Sequence, residues 1–181
     1  MCVLIDANVW SAVFDEKNEK HHKYSDLLFW LNSNKEAMIV YGGKTYKKEL
    51  LSNGQKRLQL LDRFNKSGKV RKLNDAEVDE EEQRISEIYV RKGRNPKAKK
   101  DFDDKHLLAI VIVGRTRLLC SEDKDSIHYL KDKEFYPEKR TASIEYYGKK
   151  ITVRYYENEQ DLTKKSVSYL CKRCAERNAS I

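Results

Sequence analysis

Five carboxylates crowd one stretch of this chain. In FDDKHLLAIVIVGRTRLLCSEDKD, residues 102–125, Asp103 and Asp104 precede an apolar run, and Glu122, Asp123 and Asp125 follow it. A second apolar run, in CVLIDANVW at residues 2–10, stops on Asp6. A third, AMIVY at residues 37–41, is followed by a segment carrying Glu49. Carboxylates held together repel one another and raise each other's pKa. A hard divalent cation relieves that repulsion. Mg²⁺ takes oxygen ligands and keeps several waters, so a few carboxylates suffice, and Mg²⁺ or Mn²⁺ is the cation expected. One or two such ions can orient a phosphodiester, activate a water and stabilise the leaving oxygen.

These residues act together only if the fold brings them to one place. Residues 2–5, 37–41 and TRLLCS at 116–121 read as short buried strands. Between them the chain carries helical spacing at 21–33. After Gly42 and Gly43 it predicts a helix capped by Thr45, carrying Tyr46, Leu50 and Leu51 and interrupted at Gly54. KRLQLLDRF resumes that helix, and KVRKL is a short strand. Asn74 or Asp75 caps a further helix that runs to about Val90, acidic first and basic last, as the helix dipole favours. KGRNPKAKK, residues 92–100, is a loop. Leu107 to Val113 is a buried helix capped by Asp103 or Asp104 and ended by Gly114. Apolar strands alternating with helices predict a mainly parallel sheet with helices on both faces, a three-layer α/β/α sandwich over residues 1–130. Ligands of such sheets bind beyond the carboxyl ends of the strands. Asp6, Glu49, Asp103, Asp104, Ser121, Glu122 and Asp123 are all expected at that rim.

The texture changes after Lys131. ASIEYYGKKITVRYYE, residues 142–157, alternates as a hairpin does around Gly148 and Lys149. A final helix is expected from Leu162 to Arg177. Residues 131–181 thus form a hairpin–helix extension, expected to pack on the first domain because a lone hairpin is marginal in water.

The formal net charge is +8. Residues 44–72 hold ten Lys/Arg against two acids, and residues 91–100 hold six with no acid. Such tracts suit a polyanion. The substrate-binding candidates are Lys44, Lys47, Lys48, Arg91, Arg94, Lys97, Lys99 and Lys100. No apolar run is long enough to span a bilayer, and no basic-then-apolar leader opens the chain, so a cytoplasmic location without membrane contact is expected. Cys2 and Cys120 sit in apolar runs as small hydrophobes. Cys171 and Cys174 form one C-x-x-C, and nothing nearby completes a zinc site.

Four stretches, VLIDANVW, TYKKELL, DDKHLLAIV and LLCSEDKD, follow one another in the order seen in the PIN-domain (PilT N-terminus) nuclease family, which the chain resembles over residues 1–130. The resemblance implies metal-dependent endonuclease cleavage of RNA, with single-stranded DNA as an alternative substrate. It implies Asp6, Glu49, Asp104 and Asp123 as the acidic metal-binding quartet. Asn8 resembles the polar residue that steadies the first aspartate, and Ser121, Asp125 and Asp103 are auxiliary. Many small members are VapC-type toxins, so an antitoxin partner and a homodimer are further expectations. The competing reading is a PIN-like module that binds RNA or protein without cutting. Asp6 and Asp104 could each be simple caps. His106, among apolar neighbours, reads as structural.

Overall fold

The computed structural model describes residues 2–52, 55–137, 143–146 and 149–162. Four apolar segments form strands: β1 (Cys2–Ile5), β2 (Met38–Tyr41), β3 (Val70–Lys72) and β4 (Leu118–Cys120). β1 and β4 are buried at every position, which is the signature of strands covered on both faces. β5 (Ser143–Tyr146) and β6 (Lys149–Thr152) pair antiparallel as the expected hairpin. β7 (Arg154–Tyr155) leaves that hairpin and pairs parallel with β4, Leu118 opposite Arg154 and Leu119 opposite Tyr155. The sheet is entirely parallel in the order β3-β2-β1-β4-β7.

Among the described residues, seven α-helices surround it. They are α1 (Trp10–Phe14), α2 (Ser25–Ser33), α3 (Lys44–Ser52), α4 (Gln55–Lys66), α5 (Asp75–Lys92), α6 (Lys105–Gly114) and α7 (Ile127–Leu130). The result is a three-layer α/β/α sandwich. α6 is buried almost throughout and packs most extensively on α5. Its β-branched run is helical because a solid apolar cylinder is needed inside; Arg115 in the left-handed region then ends it. Asn74 caps α5, accepting from the Ala76 N–H at 2.9 Å.

Three expectations change. Thr45 does not cap α3. Its hydroxyl donates to Glu82 at 3.0 Å, while Asp75 and Asp79 of α5 accept the N–H groups of Gly43 and Lys44 at the start of α3. Partners from a neighbouring helix replace the local one. His21–Lys23 form a 3-10 turn, so α2 begins later than the spacing suggested. The second hairpin strand ends at Thr152, because Arg154 and Tyr155 take a free edge of the main sheet. A 3-10 turn, Glu159–Leu162, ends the described residues; beyond Leu162 the expected last helix lies outside them, as do Cys171 and Cys174. No helix among the described residues is long and apolar enough to cross a membrane.

Candidate functional site

β1 ends at Ile5 and β4 at Cys120, side by side, and the Asp6 N–H donates to the Cys120 carbonyl at 2.8 Å. The sheet thus places Asp6 and Ser121 together at its carboxyl edge. Asp6 is only 4% exposed. One of its oxygens accepts from Ser121 Oγ at 2.6 Å, the other from the Asn8 N–H at 3.1 Å. Asn8 therefore steadies Asp6 through its backbone; its side chain is exposed. Burial raises the Asp6 pKa, held back by the Ser121 and Asn8 bonds.

Asp104 occupies the N-cap position of α6 but makes no side-chain cap bond. Its Oδ2 instead accepts from Ser126 Oγ at 2.8 Å. Burial pushes its pKa up to about 6, with the charge of Asp6 next in weight and Asp103 adding; Ser126 and His106 act against the rise.

Asp123 comes in on the turn after β4. Its N–H donates to Ser121 Oγ at 3.0 Å, so one hydroxyl links Asp6 to Asp123. Carboxylate oxygens of Asp103, Asp104 and Asp123 lie within 4.8 Å of one another. Asp103, the exposed member, joins this group directly, and Asp6 adjoins it through Ser121. Asp125 turns outward to accept the Lys100 N–H at 2.7 Å, and its own N–H donates to Asp123. Glu122 points away into an ion pair with Lys20 at 2.8 Å.

Glu49 enters from α3 with its side chain 40% exposed. Its Oε2 lies 3.0 Å from Nε2 of His106, which is 3% exposed. With His106 protonated this contact is an ion pair. Burial alone would lower the His106 pKa; Glu49 and Asp104 outweigh it and raise the net value. His106 is structural in that it stacks on Tyr46, yet it also contacts a candidate ligand. Tyr46 is fully buried, donates to the Ile5 carbonyl and accepts from Trp10 at 3.1 Å, fixing α3 to the end of β1.

The expected substrate track is half committed to other work. Lys44 pairs with Asp79 at 3.3 Å and Lys47 with Asp75. Arg94 bonds the carbonyls of Ala98 and Lys99 and so braces its own loop. Lys100 places its ammonium 2.8 Å from Asp123. Lys48, Arg91, Lys97 and Lys99 are exposed.

Ser126 and Tyr155 were not anticipated. Tyr155 donates to the Asp123 carbonyl at 2.5 Å and reaches it only because β7 joins the sheet. Nothing local in the sequence signals that contact. Ser126 lies directly after Asp125, and its proximity to the acidic turn was its only signal. Tyr155 and Tyr156 are both buried and offer no open face for base stacking.

The chain matches no protein-family model and no curated protein.

Proposed function

We propose that this protein is a divalent-metal-dependent nuclease that hydrolyses RNA phosphodiester bonds. The observation that carries the reading is the trio of carboxylates from two segments, Asp103, Asp104 and Asp123, converging within 4.8 Å at the carboxyl edge of a parallel sheet. The donor set is oxygen only, which suits Mg²⁺ or Mn²⁺. The ammonium of Lys100 on Asp123 agrees with a locus that attracts cations. Asp104, Asp123 and Asp103 would hold the ion, with Asp6 and Glu49 at its margin. A bound ion would supply Lewis acidity toward a phosphate oxygen and ease deprotonation of the attacking water.

The protein groups have separable tasks. Ser121 and Ser126 fix the carboxylate rotamers by donating to Asp6 and Asp104, which leaves their remaining oxygen lone pairs for other partners. Burial and the charge of Asp6 raise the Asp104 pKa to about 6, a strain on its ionised form that a bound cation would relieve. Exposed Lys48, Arg91, Lys97 and Lys99 give the surface a positive potential that attracts a polyanion. RNA rather than DNA is the substrate implied by the resemblance to PIN domains.

The test is cleavage of a fluorescent single-stranded RNA, alongside the same DNA sequence, with Mg²⁺, Mn²⁺ or a chelator. Cleavage of RNA with either metal and none with chelator is expected. Binding without cleavage under every condition would instead favour the non-catalytic module.

A further inference from the structure

Several cations with largely covered side chains hold a carboxylate: Lys47 with Asp75, Lys92 with Asp132, Arg84 with Glu81 and Arg154 with Asp161. Arg57, on α4, does not. Its Nη1 donates to the Ala7 carbonyl at 2.8 Å, and among the described residues no carboxylate pairs with it. Ala7 directly follows Asp6, so this guanidinium stands at the Asp6 end of the carboxylate centre. It is half-buried, and desolvation lowers its pKa, which the charges of Tyr46 and Asp6 only partly offset. Three other half-buried cations also rest on carbonyls: Lys69 and Arg71 tie β3 to the ends of α2 and α6, and Lys105 donates to the Phe102 carbonyl while lying over the Tyr89 and Phe102 rings. Arg57 stands at the Asp6 end of the rim, with its fork on the Ala7 carbonyl rather than over aromatic rings.

A guanidinium carries five N–H donors in a planar fork that matches phosphate oxygens. One donor anchors Arg57 on the backbone, which sets the orientation of the fork before any ligand arrives. The others have no protein partner among the described residues. Lys100 stands beside Asp123, on the β4 side of the same centre, but is already neutralised.

We propose that Arg57 binds a phosphate of the RNA strand on the Asp6 side of the carboxylate centre. This rests on the nuclease reading and adds to it a substrate contact on α4, beyond the eight Lys and Arg residues expected from the sequence to bind substrate. The anchored fork fixes which phosphate lies next to the carboxylates, so Arg57 sets the register of the strand as well as contributing affinity.

The experiment measures binding of a fluorescein-labelled single-stranded RNA to the full chain in chelator, over a range of KCl concentrations. Arg57→Gln should weaken binding about tenfold, the value of one charge-assisted hydrogen bond. It should also make the log–log salt slope shallower by about 0.7, the loss of one phosphate contact on a single strand. Arg57→Lys should restore the slope. In Mn²⁺, Arg57→Gln should raise KM. A melting temperature that falls while affinity and slope stay unchanged would overturn the proposal and leave Arg57 as a backbone tie. A measurement on the wild-type chain covers the case in which the variant does not fold: RNA should protect Arg57 from phenylglyoxal, and unchanged modification would overturn the proposal. A wild-type chain that neither binds nor cuts RNA overturns the nuclease reading and this proposal together. A wild-type chain that cuts normally, beside an Arg57→Gln chain with an unaltered slope, overturns this proposal alone.

Discussion

On the β4 side of the acidic rim, Asp6, Asp104, Asp123 and Asp125 are tied by groups from other segments. Ser121 holds Asp6 and accepts from Asp123, Ser126 holds Asp104, Tyr155 donates to the Asp123 carbonyl, and Lys100 reaches Asp123 and Asp125. On the α3 side, the Glu49 side chain is 40% exposed and among the described residues pairs with His106 alone. Cross-ties from several elements freeze rotamers before a ligand binds, which lowers the ordering cost at the moment of binding. A long side chain with one contact keeps its freedom. The first side is built to define a geometry. The second is built to adjust.

The largest effect expected from breaking this contrast is that of Asp104→Asn. Asn keeps the size and the bond from Ser126 but removes one charge from the cluster. RNA cleavage should fall on the order of a hundredfold or more, as when one transition-state stabiliser is deleted. Stability without metal should hold or rise. The sign follows from the raised Asp104 pKa, which lies near 6 when folded against 3.8 ordinarily. Between those values the folded state binds more protons than the unfolded one, so this group's contribution to stability declines as pH rises through that window. Melting in chelator should therefore show Asp104→Asn gaining on the wild type from about pH 4 to pH 6, and level above. Full cleavage activity in this variant would remove Asp104 from the centre.

Ser121→Ala should come next. It deprives Asp6 of its hydroxyl donor and the Asp123 N–H of its acceptor. A loss of about 1–3 kcal/mol in urea unfolding is expected from the unmet partners. Metal affinity or activity should fall about 10–100-fold, the usual cost of an outer partner of a metal ligand. Stability lost with Mn²⁺ affinity intact would show that Ser121 serves the fold alone.

Glu49→Gln should do least. Gln retains the length and the contact to His106, and the freedom of this side chain implies that little geometry depends on it. A reduction of about tenfold in kcat/KM, with unfolding unchanged, is expected. If Glu49→Gln proved as damaging as Asp104→Asn, the contrast between the two sides would fail and Glu49 would be a ligand of equal rank.

Much of the architecture was legible because periodicity and punctuation are local. Apolar runs of strand length, closed by Asp6, Gly42 and Ser121, announced β1, β2 and β4, and Asn74 marked the start of α5. The acidic rim was legible for the same reason, since strand ends define the edge of a parallel sheet. The ranking within the rim was not. Asp103 looked secondary to Asp104 in the sequence, yet its carboxylate reaches the same cluster. Lys100 looked like a substrate grip, yet it pairs with Asp123. Adjacent residues on a helix-entry turn differ only in where the turn aims them, and spacing does not record that.

Composition and pattern by themselves determined that this chain builds a buried parallel sheet, ends two of its strands on acids and carries a strongly basic surface. Tertiary structure decided which polar groups met. It brought Tyr155 to Asp123 through an edge strand far along the chain, set Asp75 and Asp79 at the start of α3 in place of Thr45, and placed Arg57 on the Ala7 carbonyl with no carboxylate partner among the described residues. The physical reason is range. Burial preference and helix or strand period act within a few residues. A hydrogen bond or ion pair is decided within a few ångströms, between atoms that only the completed fold brings together.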